Sequence, residues 1–326
     1  MTSSPLRRRR LLQAAALALF AGKTAAHAQG ERNIRKLFVG FPPGGTADSL
    51  ARALASQSQD PRVAYVIENK SGAAGQLAVQ ATVQAMADGS NLLLTPSSVL
   101  TLAPLLYKAP LFNAQRDLLP LACLGEHCFA LAVNGASGIQ SLQAFLQWAR
   151  THPAQATYAT PGPGSAPHFL GAQMGRELGV TLTHVPYRGV APGLQDLMAG
   201  QVACTFNPLP TLLDLHRSGR IRILAVTSPR RLATLPDTPT FAESGLAALQ
   251  LIEWYGLFAP ARTPAALVSQ LGQDVRRALQ APGMLEAAKR MEINLRYEDA
   301  STLASMVEQD QQRWKTLVAN SGIQLD

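Results

Sequence analysis

From residue 34 onward short apolar runs alternate with longer amphipathic segments, and this alternation constrains the fold more than any other feature of the chain. Residues 34–41 read as a strand, 48–58 as a helix and 64–68 as a strand. A helix over 75–87, closed by Asp88-Gly89, and a strand over 91–95 follow. The pattern resumes with a strand at 129–133, a helix at 141–150, a strand at 156–160 and a helix at 166–178. It continues through strands at 183–185, 202–206 and 223–227, separated by helices at 192–199 and 212–218. Strand and helix in turn imply parallel strands joined by crossover helices, an α/β architecture. The second block repeats the first in outline, so two doubly wound lobes are expected, each a mainly parallel sheet flanked by helices. The tail supplies a strand at 255–259, helices at 264–279 and 283–291, and a closing helix at 301–321, which complete the first lobe. Strand-like segments near Phe129 and Trp254 cross between lobes. Lobe 1 is thereby set at 29–128 plus 254–326 and lobe 2 at 129–253.

The segment before this pattern has a different character. Arg7 to Arg10, an apolar stretch over 11–21 and Ala26-His27-Ala28 give the basic, apolar, small-x-small order of a secretory signal peptide over residues 1–28. The apolar stretch is too short to cross a bilayer, for which about 20 residues are needed. Arg8-Arg9-Arg10-Leu11-Leu12-Gln13 also approximates a twin-arginine signal, so ordinary secretion and twin-arginine export both fit. The formal charge of +8 belongs mostly to this leader, because its removal leaves 24 basic against 21 acidic residues. The remaining charges form no basic run, which removes the argument for nucleic acid or a membrane surface. Cys123, Cys128 and Cys204 are an odd number for an exported chain, so at least one is free or paired with another molecule. A Cys123–Cys128 bridge across a turn is compatible with the spacing, but small apolar residues in strands are the favoured reading. No zinc spacing occurs, and neither metal nor cofactor is expected.

Ligands of open α/β sheets sit beyond the carboxyl ends of the strands, so the strand-to-helix loops matter most. Two are unusual. Phe41-Pro42-Pro43-Gly44-Gly45-Thr46-Ala47-Asp48 and Thr160-Pro161-Gly162-Pro163-Gly164-Ser165-Ala166-Pro167-His168 each place glycines where side chains would block the main chain. Each also opens a helix whose first amides lack internal partners and attract negative charge. Turn chemistry alone explains one such loop; two at equivalent places favour a pair of carboxylate cradles. Neither is a phosphate-binding P-loop, since no Gly-Lys-Ser/Thr is present. Asp48 is expected to bond amides of its own loop. Ser165 either caps its helix or bonds a ligand oxygen, and His168 packs at the lobe interface or donates to the ligand. A hydrolase built on Ser165 and His168 is the rival reading, although Gly164-Ser165-Ala166-Pro167 is not the nucleophile elbow.

The stretches FPPGGTAD at 41, VIENKSGAAGQLA at 66, DGSNLLLT at 88, YATPGPGSAPH at 158 and HVPYRGVAPGLQDLMAGQV at 184 share their order and spacing with one family. So do RILAVTSPRRLATLPDTPTFAESG at 222 and WYGLFAPARTP at 254. The chain from about residue 36 to its end resembles the substrate-binding proteins of tripartite tricarboxylate transporters, the Bug receptors. That resemblance implies a periplasmic, monomeric, non-enzymatic receptor with a type II-like Venus-flytrap fold. It would hold a small carboxylate or dicarboxylate through main-chain amides, hydroxyls and water, and hand it to membrane transporter subunits. An orphan sensor for the same class of ligand is the alternative within this resemblance. Thr95 and Ser97 keep hydroxyls in the implied cleft, Gln76 stands where Asn is frequent, and Tyr187 walls the cleft while Arg188 is solvated. Asn207 stands where the family usually has Asp, which disfavours amino-acid ligands.

Overall fold

A computed structural model of the chain describes residues 33–319 together with 323 and 325; the expected leader at 1–28 lies outside them. The first half opens with β1 (Asn33–Val39), α1 (Thr46–Ser56), β2 (Val63–Asn69), α2 (Gln76–Val83) and β3 (Asn91–Pro96). In α1, Ala47, Leu50, Ala51 and Leu54 recur at helical spacing and are buried against the sheet. Three short helices, α3 (Ser97–Thr101), α4 (Ala103–Leu106) and α5 (Ala114–Asp117), lead into β4 (Leu118–Asn134).

The second half comprises α6 (Leu142–Thr151), β5 (Thr157–Thr160), α7 (Ala166–Leu178), β6 (Thr183–Pro186), α8 (Val190–Met198), β7 (Cys204–Pro208), α9 (Leu213–Arg217) and β8 (Ile221–Val226). The chain then returns through β9 (Ile252–Pro260), α10 (Ala265–Leu279), α11 (Pro282–Arg290), β10 (Asn294–Asp299) and α12 (Ala300–Ala319). The strand order is β2-β1-β3-β9-β4-β7-β5-β6, with β8 and β10 also paired to β4.

The α/β expectation holds, but the sheet is mixed. The pairs β1–β2, β1–β3, β5–β6 and β5–β7 are parallel, whereas every pairing of β4 and the β3–β9 pair are antiparallel. The strand expected at 129–133 is the last third of β4, which begins eleven residues earlier and runs for 17 residues. Its residues 118–128 pair with β9, and 129–134 pair with β7 and β8. The early part escapes a periodicity reading because both faces are covered and its register shifts between Pro120 and Ala122 and again between Cys123 and Gly125. β10 was likewise not expected from the sequence; it adds to the outside of this shifted segment.

Apolar clusters cover both faces of each half. The helix α12 joins them: Leu303 and Val307 pack in a first-half cluster, while Trp314 packs among second-half residues, edge-on to Phe169 at 5.0 Å. The tail therefore does not stay with the first half throughout. All three cysteines are free and buried. Burial pushes the Cys123 thiol up to about 11 and Cys128 to about 12, so these thiols stay protonated and inert. No described helix is long and apolar enough to cross a membrane.

Candidate functional site

The strand-to-helix loops of the two halves meet around a cavity of about 250 Å³. Phe41, Pro43, Gly44, Gly45 and Thr46 line it from the first half and Ser165 from the second, as the loop chemistry of both segments leads one to expect. The two loops differ in an essential respect. At the start of α1 the N-cap is Gly45, and no side chain caps the helix. At the start of α7 the Ser165 hydroxyl accepts from His168 N at 3.4 Å and donates to the Gly162 carbonyl at 2.7 Å, so this end caps itself.

A third helix end takes the second-half role. α8 has Gly189 as its N-cap, again with no side-chain cap, and Gly189, Val190, Ala191 and Pro192 line the cavity. Two uncapped helix N-termini, one from each half, thus border the same cavity. Gly189 also fixes how closely the halves approach. Its φ of +97° suits glycine, and a Cβ there would lie 2.8 Å from Pro42 Cγ. The sequence signal for this third end was present in the Arg188-Gly189-Val190 stretch, where a glycine precedes a helix without any Ser, Thr, Asp or Asn to cap it. Arg188, expected to be solvated, is exposed and also lines the cavity.

Several expected ligand contacts lie elsewhere. Asp48 is 2% exposed, and its carboxylate accepts from Gly44 N at 3.0 Å, from Asn69 Nδ2 at 3.0 Å and from the Arg52 guanidinium at 2.9 and 3.0 Å. Burial alone would raise its pKa, but these donors outweigh it and hold the group below the ordinary aspartate value. Asp48 thus shapes the first loop, as expected, and has no oxygen to spare for a ligand. Thr95 is buried with its hydroxyl on the Pro96 carbonyl. Ser97 is buried off the cavity, and its neighbour Ser98 lines the cavity instead. Thr160 Oγ1 lies 2.7 Å from His184 Nε2, and the His184 ring stacks on His168 with centroids 3.9 Å apart. His168 Nδ1 accepts from Gly164 N at 3.1 Å, which puts the ring proton on Nε2. Burial pushes His168 down to about 4; burial and then the neighbouring His168 push His184 to about 3. Gly164 packs against Leu325 and Tyr107, and Asn207 donates to Thr205 Oγ1 from a fully buried position. Gly162 and Tyr187 line a neighbouring cavity behind Pro42 and Pro161, with Tyr187 Oη donating to Asp196 Oδ2 at 2.6 Å.

Within the expected first loop, Thr46 Oγ1 is buried at the cavity without a hydrogen-bond partner. The sequence reading missed a second polar group in the lining. Glu253, on β9, is 5% exposed and accepts from Ser98 N at 3.2 Å. Its other oxygen lies 3.6 Å from His127 Nε2, too long for a hydrogen bond, and neither ring nitrogen of His127 has a partner. Burial pushes His127 down to about 3 and Glu253 up to about 7, so below neutrality the contact joins two uncharged groups. An acid inside the apolar run Leu251-Ile252-Glu253-Trp254 was the signal available for it. No group of His, Cys, Asp and Glu able to hold a metal occurs among the described residues.

The chain is similar to known proteins over most of its length. A family model described as the tripartite tricarboxylate transporter family receptor matches residues 47–323. BugT of Bordetella pertussis is 30% identical over 292 residues, covering 89% of this chain and 90% of its own. A Rhodopseudomonas palustris protein solved with adipate superimposes with a TM-score of 0.85 at 28% identity, over 89% of this chain and 98% of that one. MatC from the same organism, with bound malate, gives 0.83 at 28% identity, over 87% and 98%.

Proposed function

This chain belongs to the tripartite tricarboxylate transporter family of receptors, and from that premise we propose that it captures a small organic carboxylate in the cavity between its two lobes. The supporting observation is the pair of uncapped helix N-termini, at Gly45 and Gly189, that line one cavity from opposite halves. Each presents free amides and the positive end of a helix dipole, which together hold a carboxylate without a buried lysine or arginine. The buried Thr46 hydroxyl supplies a further donor. Arg188, exposed at the cavity, balances a second carboxylate where the solute carries one. Phe129, Pro161, Pro208 and Leu194 give the rest of the lining an apolar character suited to the ligand's carbon body. Relatives solved with adipate and malate support the same ligand class.

The receptor works in the periplasm and delivers its cargo to transporter subunits in the membrane, with lobe closure as the signal those subunits read. The hydrolase alternative has little geometric support. Ser165 Oγ donates to a carbonyl, and the His168 nitrogen nearest the loop accepts from an amide, so neither is set up as nucleophile or base for the other. A thermal-shift screen of mono-, di- and tricarboxylates tests the reading. At about 100 times its dissociation constant, a true ligand stabilises the fold by about 2.7 kcal/mol. A flat response across the panel overturns the carboxylate assignment.

A further inference from the structure

We propose that Glu253 enters the ligand complex protonated and donates its proton to the bound carboxylate, so that this receptor takes up one proton from solvent for each solute it captures. The inference rests on the carboxylate reading above and specifies the chemistry of the same cavity.

Glu253 is an acid in a pocket built to attract anions. It lines the cavity that the amides of α1 and α8 also line, and it is almost wholly removed from solvent. Two negative groups confined in a cavity of about 250 Å³ repel strongly, because little water is present to screen them. One proton shared between them removes that repulsion and turns it into a short, charge-assisted hydrogen bond.

The surroundings favour the protonated acid. From α3, Ser98 faces the acid with its hydroxyl and with its amide, the latter at 3.2 Å; both favour the ionised form, but burial outweighs them. From β4, His127 faces the second oxygen but is buried neutral, so it offers no countercharge. From β9 itself, Tyr255 is a buried phenol whose own ionisation burial and Glu253 both oppose. From α12, Asp310 adds negative charge behind the strand and is itself held by Trp254 Nε1 at 2.8 Å. Among the described residues Arg188 is the one cation along the cavity, and it is exposed. No described cation contacts Glu253, so an arriving carboxylate makes its ionised form still less favourable. Burial already leaves the empty-site acid near 7, where protonation costs little.

The sign follows directly. Below the empty-site value the acid is already protonated and affinity does not depend on pH. Above it, each binding event must draw a proton from solvent, and affinity falls by about tenfold per pH unit. Between pH 6 and 8.5 the loss is roughly thirtyfold.

Adipate, malate and benzoate serve as probes, since their own carboxyls stay ionised from about pH 6.5 upward. Calorimetry of the full mature chain is run from pH 6 to 9, in buffers of different ionisation enthalpy, on the wild type and on Glu253→Gln. The expected result is close to one proton taken up at pH 8 to 8.5 by the wild type. Glu253→Gln, which donates through its amide at every pH, should bind without that slope and more tightly than wild type at pH 8.5. A wild type with no proton uptake overturns the proposal while leaving the receptor reading intact, and this measurement needs no variant. A Glu253→Gln protein that melts normally yet retains the wild-type slope also overturns it. So does one that melts normally yet loses binding at every pH, because the glutamine amide would then supply the proposed donor without restoring the contact. If no probe binds at any pH, the receptor reading fails for these solutes and the proton coupling falls with it.

Discussion

At the scale of single residues, the site depends on side chains that never meet a ligand. Asp48 looks like a binding residue because it ends the first glycine loop, yet the structure spends both its oxygens on Gly44, Arg52 and Asn69. Its work is to hold Gly44, a residue at φ +84°, and hence the loop that precedes α1. Replacing Asp48 with Ala strands two partly buried donors, while the exposed Arg52 regains water. Asp48→Ala is therefore expected to lower unfolding free energy by about 1–3 kcal/mol and to weaken carboxylate binding, measured by urea denaturation and by titration of the same preparation. An unchanged urea midpoint would show that the loop holds its shape without this anchor.

At the scale of elements, the difference between a capped and an uncapped helix sets the chemistry. α7 satisfies the first-turn amide of His168 through Ser165, while α1 and α8 have no side-chain cap and leave their first amides to whatever occupies the cavity. Gly45→Ser should therefore act in two directions. Gly45 already has the extended backbone of an N-cap, and a Cβ there meets only Pro42 O at 3.6 Å. A serine would cap α1 and stabilise the fold by a few tenths of a kcal/mol, but it would occupy the amides a carboxylate needs. A higher melting temperature combined with weaker carboxylate binding is the expected outcome; unchanged binding would remove the α1 amides from the site. Much of this was legible in sequence. The alternation of short and long periods yields nearly every strand and helix of both halves, and the two glycine-rich loops do line or flank the cavity. The shifts in β4 were not legible, because buried strands do not alternate and a bulge leaves no periodic trace. Nor could periodicity choose Ser98 over Ser97, since that depends on a bend from strand to helix at Pro96. Glu253 stayed hidden for a related reason: only the pairing of β9 with β4 puts His127 opposite it and the cavity in front of it.

At the scale of the whole molecule, titration behaviour follows from what the fold buries. His127, His168 and His184 are neutral when folded, at about 3, 4 and 3, against 6.5 for a free side chain. As pH falls below 6.5 the unfolded chain takes up protons that the folded chain refuses, so stability is lost progressively toward pH 3 to 4. Asp48, held below its ordinary value, adds to this loss at the acid end of the range. Glu253 works in the opposite direction, since it stays protonated when folded and loses stability as pH rises from 4.5 to about 7. Three histidines outweigh one glutamate, so the melting temperature should climb from pH 4 to about 6.5 and flatten above 7. A melt series across that range checks it, and a fold most stable near pH 4 would contradict the neutral histidines.

The position of β9 carries a consequence for how the molecule comes into being. β9 lies between β3 and β4, two strands that leave the ribosome more than a hundred residues before it does. The first sheet thus stays open along its centre until residues 252–260 have been synthesised, and the contact that α12 makes with the second half through Trp314 waits longer still. Long-range pairings of this kind are slow to form. In a nascent chain with this topology the first half remains unassembled until late in translation, while the second-half strands, all within 129–226, can pair before it.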